Sequence, residues 1–336
     1  MPVRMFVRRE NRIVTGKLPG GARWCFPVPL VVAAIFTVIV AAGAARLENG
    51  IDLAGGPSAV FAVGLGAWSI AILGRRARPT SRAASAIEAL ALFATLSLLG
   101  SFASAALAIG SGSYVDDTLV GLDRAIFPFF DWPAAMTAFH QMPLASKLSG
   151  YLYSSINWQP FLLVMVVTCR GTVRGHERFI TAWALGLALC VLPFHWLPAL
   201  SPYNYYGIGW EDVGTPSAAL AWQFLPIMEG LRSGSIDQLS VHTLSGMVTM
   251  PSFHACAAVI LAWCFWPMRK LRWPMLALNI GMFASAVPSG GHYLIDLVAG
   301  AAVAGVAIVA TTWWLKLGDR HRAGSRILPA SRAAFA

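Results

Sequence analysis

Two histidines and one aspartate are the residues of this sequence whose types and spacing best suit them to chemistry. His292 and Asp296 are four residues apart in the segment Gly-Gly-His-Tyr-Leu-Ile-Asp. On a helix, side chains at this spacing share one face, with Cβ atoms about 5–6 Å apart. The carboxylate can then hold one nitrogen of the imidazole and raise the basicity of the other, as a base or nucleophile requires. The same spacing also suits a purely structural pair.

His254 provides a second imidazole near the start of another apolar stretch. Ser252 lies two residues before it, and Gly290 and Gly291 directly precede His292, so the backbone can approach an anion closely at both places. Helix N-termini attract anions through their free N–H groups and the helix dipole. Together these residues predict a phosphate site with a nucleophile and an acid. A zinc site made of the two histidines and the aspartate is the alternative.

Membrane-spanning helices are the elements that must position these residues. The 336 residues are 57% hydrophobic and 12% charged, which excludes an ordinary soluble domain and a disordered chain. The net charge of +10 does not indicate nucleic-acid binding, because the basic residues occupy short segments between apolar stretches. Eight stretches approach the roughly 20 apolar residues that a span needs. They are 27–45, 57–74, 84–110, 149–168, 178–197, 251–267, 273–288 and 292–315.

The distribution of Lys and Arg predicts the orientation of these spans. With a cytoplasmic N-terminus, 21 of the 25 cations lie in cytoplasmic segments, and only Arg46, Arg124, Lys147 and Arg232 lie outside. We therefore expect an integral protein of a bacterial-type inner membrane, with both termini cytoplasmic and the two histidines near the periplasmic face. The first apolar stretch also fits a cleaved signal peptide, but its length and the spans that follow favour a retained helix.

Three regions follow from this arrangement. Residues 1–110 form a basic tail and three transmembrane helices, residues 111–316 form the catalytic membrane domain, and residues 317–336 form a basic cytoplasmic tail. Two long connections, 111–148 and 198–250, are here called the cap segments. Because long connections on one face of a bundle often cover a site, we expect the cap segments to cover the histidines.

The motifs around the two histidines resemble those of a known family. Residues 251–254 read Pro-Ser-Phe-His, and Ser285 precedes His292 by seven residues and Asp296 by eleven. These segments resemble the P-S-G-H and S-R-x5-H-x3-D motifs of the type 2 phosphatidic acid phosphatase (PAP2) superfamily. The resemblance covers roughly residues 115–315.

The sequence departs from the family pattern at three places. Phe253 replaces the glycine of the first motif, Ala286 replaces the arginine of the second, and the Lys-x6-Arg-Pro motif is missing. A histidine motif without that arginine resembles the branch that contains inositol phosphorylceramide synthase and sphingomyelin synthase. The Pro-rich stretch 197–203 is also similar to a turn of that branch.

The resemblance implies an all-α polytopic membrane bundle of about eight transmembrane helices with a six-helix catalytic core. It also implies a covalent phosphohistidine mechanism that needs no cofactor or metal. His292 would attack phosphorus, Asp296 would stabilise the cationic imidazole, and His254 would protonate the leaving oxygen. The substrate would be a phospholipid or another lipid phosphoester, and the bilayer would be its source. The oligomeric state is not predicted.

The acceptor distinguishes the possible reactions. Water as acceptor gives a phosphatase of lipid phosphates or polyprenyl diphosphates, and a lipid or sugar hydroxyl gives a head-group transferase. A diester carries less negative charge than a monoester, so the missing arginine modestly favours transfer from a diester donor. A degenerate protein that binds lipid phosphate without turnover remains the other alternative.

Five further residues are weaker candidates. Lys147 and Arg232 could supply the missing phosphate-binding charge, although ordinary loop charges are as good an explanation. Tyr203 and Tyr205 could line the substrate site or belong to an interfacial aromatic belt. Tyr151 could line the site or pack between helices.

Overall fold

The computed structural model describes residues 27–52, 56–78, 81–171, 173–209, 219–243 and 246–324. These residues form mainly α-helices, which confirms the all-α class, and the long apolar helices confirm a polytopic membrane protein. The helices are α1 (Pro27–Ala44), α2 (Gly56–Ala77), α3 (Arg82–Ala108), α4 (Asp116–Ile126), α5 (Trp132–His140), α6 (Pro143–Ser154), α7 (Gln159–Arg170), α8 (Val173–Val191), α9 (Pro202–Tyr205), α10 (Ala219–Ser233), α11 (Phe253–Phe265), α12 (Arg272–Gly290) and α13 (Leu294–Gly324).

Each of the eight predicted spans coincides with helical structure in the described residues. Four helical segments are long and apolar enough to cross a membrane, namely Pro27–Ala44, Arg82–Ala108, Val173–His195 and Leu294–Arg320. A fifth span is possible if the bent pair Pro143–Asn157 and Gln159–Arg170 counts as one. The number of eight spans therefore stays a prediction.

A bend divides the predicted span 149–168 into α6 and α7. The two helical segments meet at 51°, with a short 3₁₀ turn at Ser155–Asn157 between them. Pro160 occupies the first turn of α7, where a proline starts a helix readily but cannot continue the preceding one. The bend lets α6 pack along α12, the helix that leads to His292.

Two groups of packed helices make up the bundle. Helix α3 contacts α1, α2 and α8, and α11 contacts α8, α12 and α13. Small residues allow close approach at these contacts. A Cβ at Gly43 would clash with Cβ of Ala106, and a Cβ at Gly300 would clash with the carbonyl oxygen of Ser252. The second contact brings the start of α11 against α13.

The cap segments supply α4, α5, α9 and α10. A short parallel pairing joins Gly50–Ile51 to Gln238–Leu239, with Gly50 opposite Gln238, and so ties the second cap segment to the end of α1. Helix α4 contacts α13, and α5 contacts α6. Both cap segments therefore lie at the end of the bundle where α3 ends and where α11 and α13 begin.

Candidate active site

The turn between α12 and α13 carries His292. Gly291 closes α12 with φ +61°, a left-handed conformation that favours glycine, and its N–H donates back to the helix. At Gly290, a Cβ would lie 2.9 Å from His292 Cδ2 and 2.9 Å from Tyr153 Cε2. Both glycines therefore shape the turn, and the phosphate-binding role proposed for them stays a prediction.

The side chains of His292 and Asp296 are in contact, although His292 lies in the turn before α13 and only Asp296 lies on the helix. Nδ1 of His292 lies 3.3 Å from Oδ2 of Asp296, and both side chains are buried. The N–H of Tyr293 donates to the same oxygen at 2.9 Å, which fixes the carboxylate. The other oxygen, Oδ1, is buried and has no hydrogen-bond partner among the described residues. The carboxylate thus directs an incompletely compensated negative charge at the imidazole.

Ser252 contacts the other nitrogen of His292. Its Oγ lies 3.2 Å from Nε2, and the N–H of Ala255 donates to the same hydroxyl at 3.3 Å as the N-cap of α11. The N–H of Ser252 donates to the carbonyl of Asp296 at 3.1 Å. Because Asp296 accepts from Nδ1, Nε2 carries the lone pair, and the Ser252 hydroxyl donates to it. The structure thus brings the two motifs together at one imidazole.

His254 lies in the first turn of α11. Its ring stacks on Tyr153 of α6, with centroids 3.8 Å apart and an interplanar angle of 10°. Tyr153 also contacts the position where Gly290 lacks a Cβ. Both histidines therefore lie at the same end of the bundle, as predicted. Tyr153 lies against His254 and beside the turn that carries His292.

An apolar aromatic cluster from the cap segments covers the turn. Trp132 of α5 is buried and donates from Nε1 to the carbonyl of His292 at 3.2 Å. Its ring packs edge-on against Tyr203, with centroids 4.7 Å apart, and stacks with Tyr206. Ala286, which stands where the related motif has arginine, is buried in this cluster. Ala286 thus belongs to an apolar cluster that also contains aromatic side chains.

The first backbone amides of α13 and the amide of the residue before it donate hydrogen bonds to carboxylates. The N–H groups of Leu294 and Ile295 donate to the two oxygens of Asp123 at 2.9 and 2.7 Å, and that of Tyr293 donates to Asp296. The prediction that this helix N-terminus offers free amides to a phosphate is therefore wrong for these three positions. The negative charge that suits the helix dipole comes from the chain itself.

A second acid of α4 also holds this region. Asp116 is buried and accepts from the hydroxyl of Tyr293 at 2.7 Å and from the N–H of Leu200. Burial raises the pKa of both Asp116 and Asp123 above the usual range, and hydrogen bonds from backbone amides oppose that rise. The partly desolvated carboxylates of Asp116 and Asp123 therefore hold helix α4 against the start of α13 by hydrogen bonds.

The structure does not bring the two proposed cations to the site. Arg232 donates to Ser111 and to the carbonyl of Gly112, and it lies over the ring of Tyr114, so its described contacts are within the cap segments. Lys147 is exposed on α6. It lies two residues from Ser149, whose hydroxyl contacts Ser289 on α12 at 2.7 Å. Residues two apart point to different faces of a helix, so Lys147 is turned away from α12.

The three tyrosines proposed to line the substrate have different positions. Tyr203 is buried and donates to the carbonyl of Pro288 at 2.7 Å, so it supports the turn that precedes His292. Tyr205 donates to Asp117 at the surface. Tyr151 is 67% exposed. Tyr153, two residues later, is the tyrosine of α6 that contacts the site.

Residues that the sequence analysis did not select complete the site. Trp132, Asp116 and Asp123 all lie in the first cap segment, and Tyr153 lies in α6. A signal existed for the two acids, because Asp116 and Asp123 are seven residues apart on a helical face that also carries Leu119. Within the described residues, no group of three or more His, Cys, Asp or Glu side chains has the arrangement of a metal site.

Comparison with known proteins gives one match. A family model described as the PAP2 superfamily matches residues 117–310, which is more than half of the chain. The matched region includes all of α4 except Asp116, both motif histidines and the first half of α13. No curated protein and no solved structure matches the chain.

Proposed function

Because the chain belongs to the PAP2 superfamily, we propose that it acts on lipid phosphoesters through a covalent phosphohistidine. Membership itself indicates phosphatase or phosphotransferase activity on phosphoesters, and the apolar helices place that activity in a membrane protein. The observation that carries the proposal is the geometry of His292. Its Nδ1 faces Asp296, its Nε2 faces Ser252, and His254 stacks on Tyr153, whose ring lies beside the same turn at Gly290.

In the first half-reaction, Nε2 of His292 attacks phosphorus and the bond from phosphorus to the leaving oxygen breaks. The hydrogen bond from Ser252 to Nε2 must be released for this attack, and the freed hydroxyl can then donate to a phosphate oxygen. A protonated His254 gives its proton to the leaving oxygen. Asp296 stabilises the positive charge that develops on the ring of His292, since its buried carboxylate has an oxygen without a described partner.

In the second half-reaction, the now neutral His254 takes a proton from the acceptor hydroxyl. The acceptor oxygen attacks phosphorus, the bond between phosphorus and Nε2 breaks, and His292 is regenerated. His254 ends this step protonated, ready for the next turnover. One imidazole thus serves as acid and then as base, while the other carries the phosphorus.

Transfer of a head group to a lipid or sugar hydroxyl is the favoured form of the reaction. The support is position 286, where a buried alanine in an apolar cluster stands in place of the arginine of the family motif. A diester donor needs less charge compensation than a monoester, and this environment offers little. Hydrolysis of a lipid phosphate or polyprenyl diphosphate is the alternative, and a lipid-phosphate-binding protein without turnover is the second. The cation distribution favours a site on the periplasmic side of an inner membrane.

The test uses the full-length protein in vesicles that contain phospholipids with radiolabelled phosphorus. We expect label on the protein in an acid-labile form during turnover, with loss of both the label and the turnover in His292→Ala. His254→Ala should slow turnover by about 100-fold or more, as loss of a general acid does. His242→Ala, at an exposed histidine of the second cap segment, is the matched control.

The products separate the reactions. A new labelled lipid that forms only when a lipid alcohol is added indicates transfer. Labelled water-soluble phosphate indicates hydrolysis. Binding of labelled lipid without any product would support the non-catalytic alternative. Full turnover by His292→Ala would exclude the phosphohistidine mechanism.

A further inference from the structure

Helix α4 has two exposed flanks of opposite character beside its buried face. The buried face carries Asp116, Leu119 and Val120. Among the exposed residues are large apolar side chains and charged ones. The apolar ones are Leu122 and Ile126, 41% and 53% exposed, followed after the helix by Phe129 at 100%, and the charged ones are Asp117 and Arg124.

Helical geometry separates these two groups. At 100° per residue, Leu122 and Ile126 lie on one flank, and Asp117 and Arg124 lie on another about 170° away. The buried face lies between them and points at the protein. A helix with this pattern can lie along a boundary, with one flank in an apolar medium and the other in water.

The neighbours of α4 place it at such a boundary. The amides of Leu294 and Ile295 donate to Asp123 of α4, so α4 lies against the first turn of α13, a candidate membrane span. The span Arg82–Ala108 ends eight residues before α4 begins. Because α4 adjoins the ends of two candidate spans, we expect it at the depth where hydrocarbon meets lipid head groups.

We propose that α4 is an interfacial anchor whose apolar flank, Leu122 and Ile126, inserts into the bilayer that the protein spans, with the exposed Phe129 just beyond the end of the helix. The occupant of this surface is therefore the boundary between lipid head groups and acyl chains, and the charged flank faces water. The position of α4 beside the first turn of a candidate membrane span favours the bilayer as the occupant of the apolar flank. Through Asp116 and Asp123, the anchor also connects the membrane surface to the residues that follow His292.

The test measures depth in the full-length protein reconstituted in phosphatidylcholine vesicles. An environment-sensitive fluorescent amino acid is placed singly at Leu122, Ile126, Asp117 or Arg124, all exposed positions. We expect emission from 122 and 126 to be blue-shifted and quenched by lipids with brominated chains, about twofold or more strongly than at 117 and 124. Iodide in the water should show the reverse order.

Two results would contradict the proposal that α4 is an interfacial anchor. Equal quenching by iodide on both flanks would mean that the apolar flank faces water. Shielding of positions 122 and 126 from both quenchers would mean that protein covers them, as in a second copy or another partner. Thr118, on the exposed face between the flanks, is the matched control position and should give intermediate quenching. The measurement reads depth alone, so its outcome is independent of the phosphohistidine proposal.

Discussion

At the scale of single residues, His292 is held by contacts from three separate parts of the chain. Asp296 holds Nδ1, Ser252 of α11 contacts Nε2, and Trp132 of the first cap segment binds the backbone carbonyl. Each contact constrains a different part of the residue, so the imidazole has little freedom to rotate. A nucleophile fixed in this way loses little entropy when it attacks.

Tyr153 provides a test of how the second imidazole is held. The stacked ring fixes the plane of His254. We expect Tyr153→Leu to lower kcat by about 10- to 100-fold with little change in KM, because a misplaced acid slows proton transfer more than binding. Steady-state kinetics on a lipid phosphoester measures both constants.

Tyr153→Phe is the matched variant, since it keeps the aromatic ring and removes only the hydroxyl. It should restore most of kcat. Equal losses in the Phe and Leu variants would show that the hydroxyl, and not the stacking, is the important feature of Tyr153.

At the scale of elements, the cap segments hold the end of α12 and the start of α13. Tyr203 of α9 donates to the carbonyl of Pro288, and the hydroxyl of Tyr203 also lies 2.7 Å from Nε2 of His140, the last residue of α5. Since Tyr203 uses its proton on Pro288, His140 donates to Tyr203. Three elements thus meet at one hydroxyl close to the site.

This junction makes a prediction about pH. Burial lowers the pKa of His140 below its ordinary value of 6.5. As pH falls below about 6.5, the unfolded chain binds a proton at this position before the folded chain does, so the stability contributed by neutral His140 is lost. We expect the thermal unfolding midpoint in detergent to fall more between pH 7.5 and pH 5.5 in the wild type than in His140→Gln.

His242→Gln, at an exposed histidine, is the control and should follow the wild type. If His140→Gln instead loses as much stability with acid as the wild type, His140 does not contribute to the acid sensitivity of the fold.

At the scale of the whole molecule, charge and apolar length together determine how the bundle lies in the membrane. The described helices include four long apolar segments, while 21 of the 25 Lys and Arg residues lie in the segments assigned to the cytoplasm. Cations remain on the cytoplasmic side during insertion, so this bias predicts one orientation for the entire bundle. The cap segments and the two histidines would then face the periplasm.

An epitope inserted after residue 113 tests this orientation. In spheroplasts of a bacterial host, antibody should reach this epitope without permeabilisation, because residue 113 is exposed in the first cap segment. An epitope at residue 336 should become accessible only after permeabilisation. The opposite pattern would place the histidines at the cytoplasmic face and contradict the orientation.

The sequence by itself determined the helices and the local part of the site. Apolar stretches of sufficient length become helices because the bilayer leaves no other partner for their backbone groups. Asp296 reaches His292 because the two residues are only four apart, with Asp296 in the first turn of α13 and His292 in the turn just before it. The tertiary structure alone decided that Ser252 faces Nε2, that Tyr153 stacks on His254 and that Asp123 takes the first amides of α13. These contacts join residues far apart in the chain, and they depend on how whole helices pack, which local spacing does not encode.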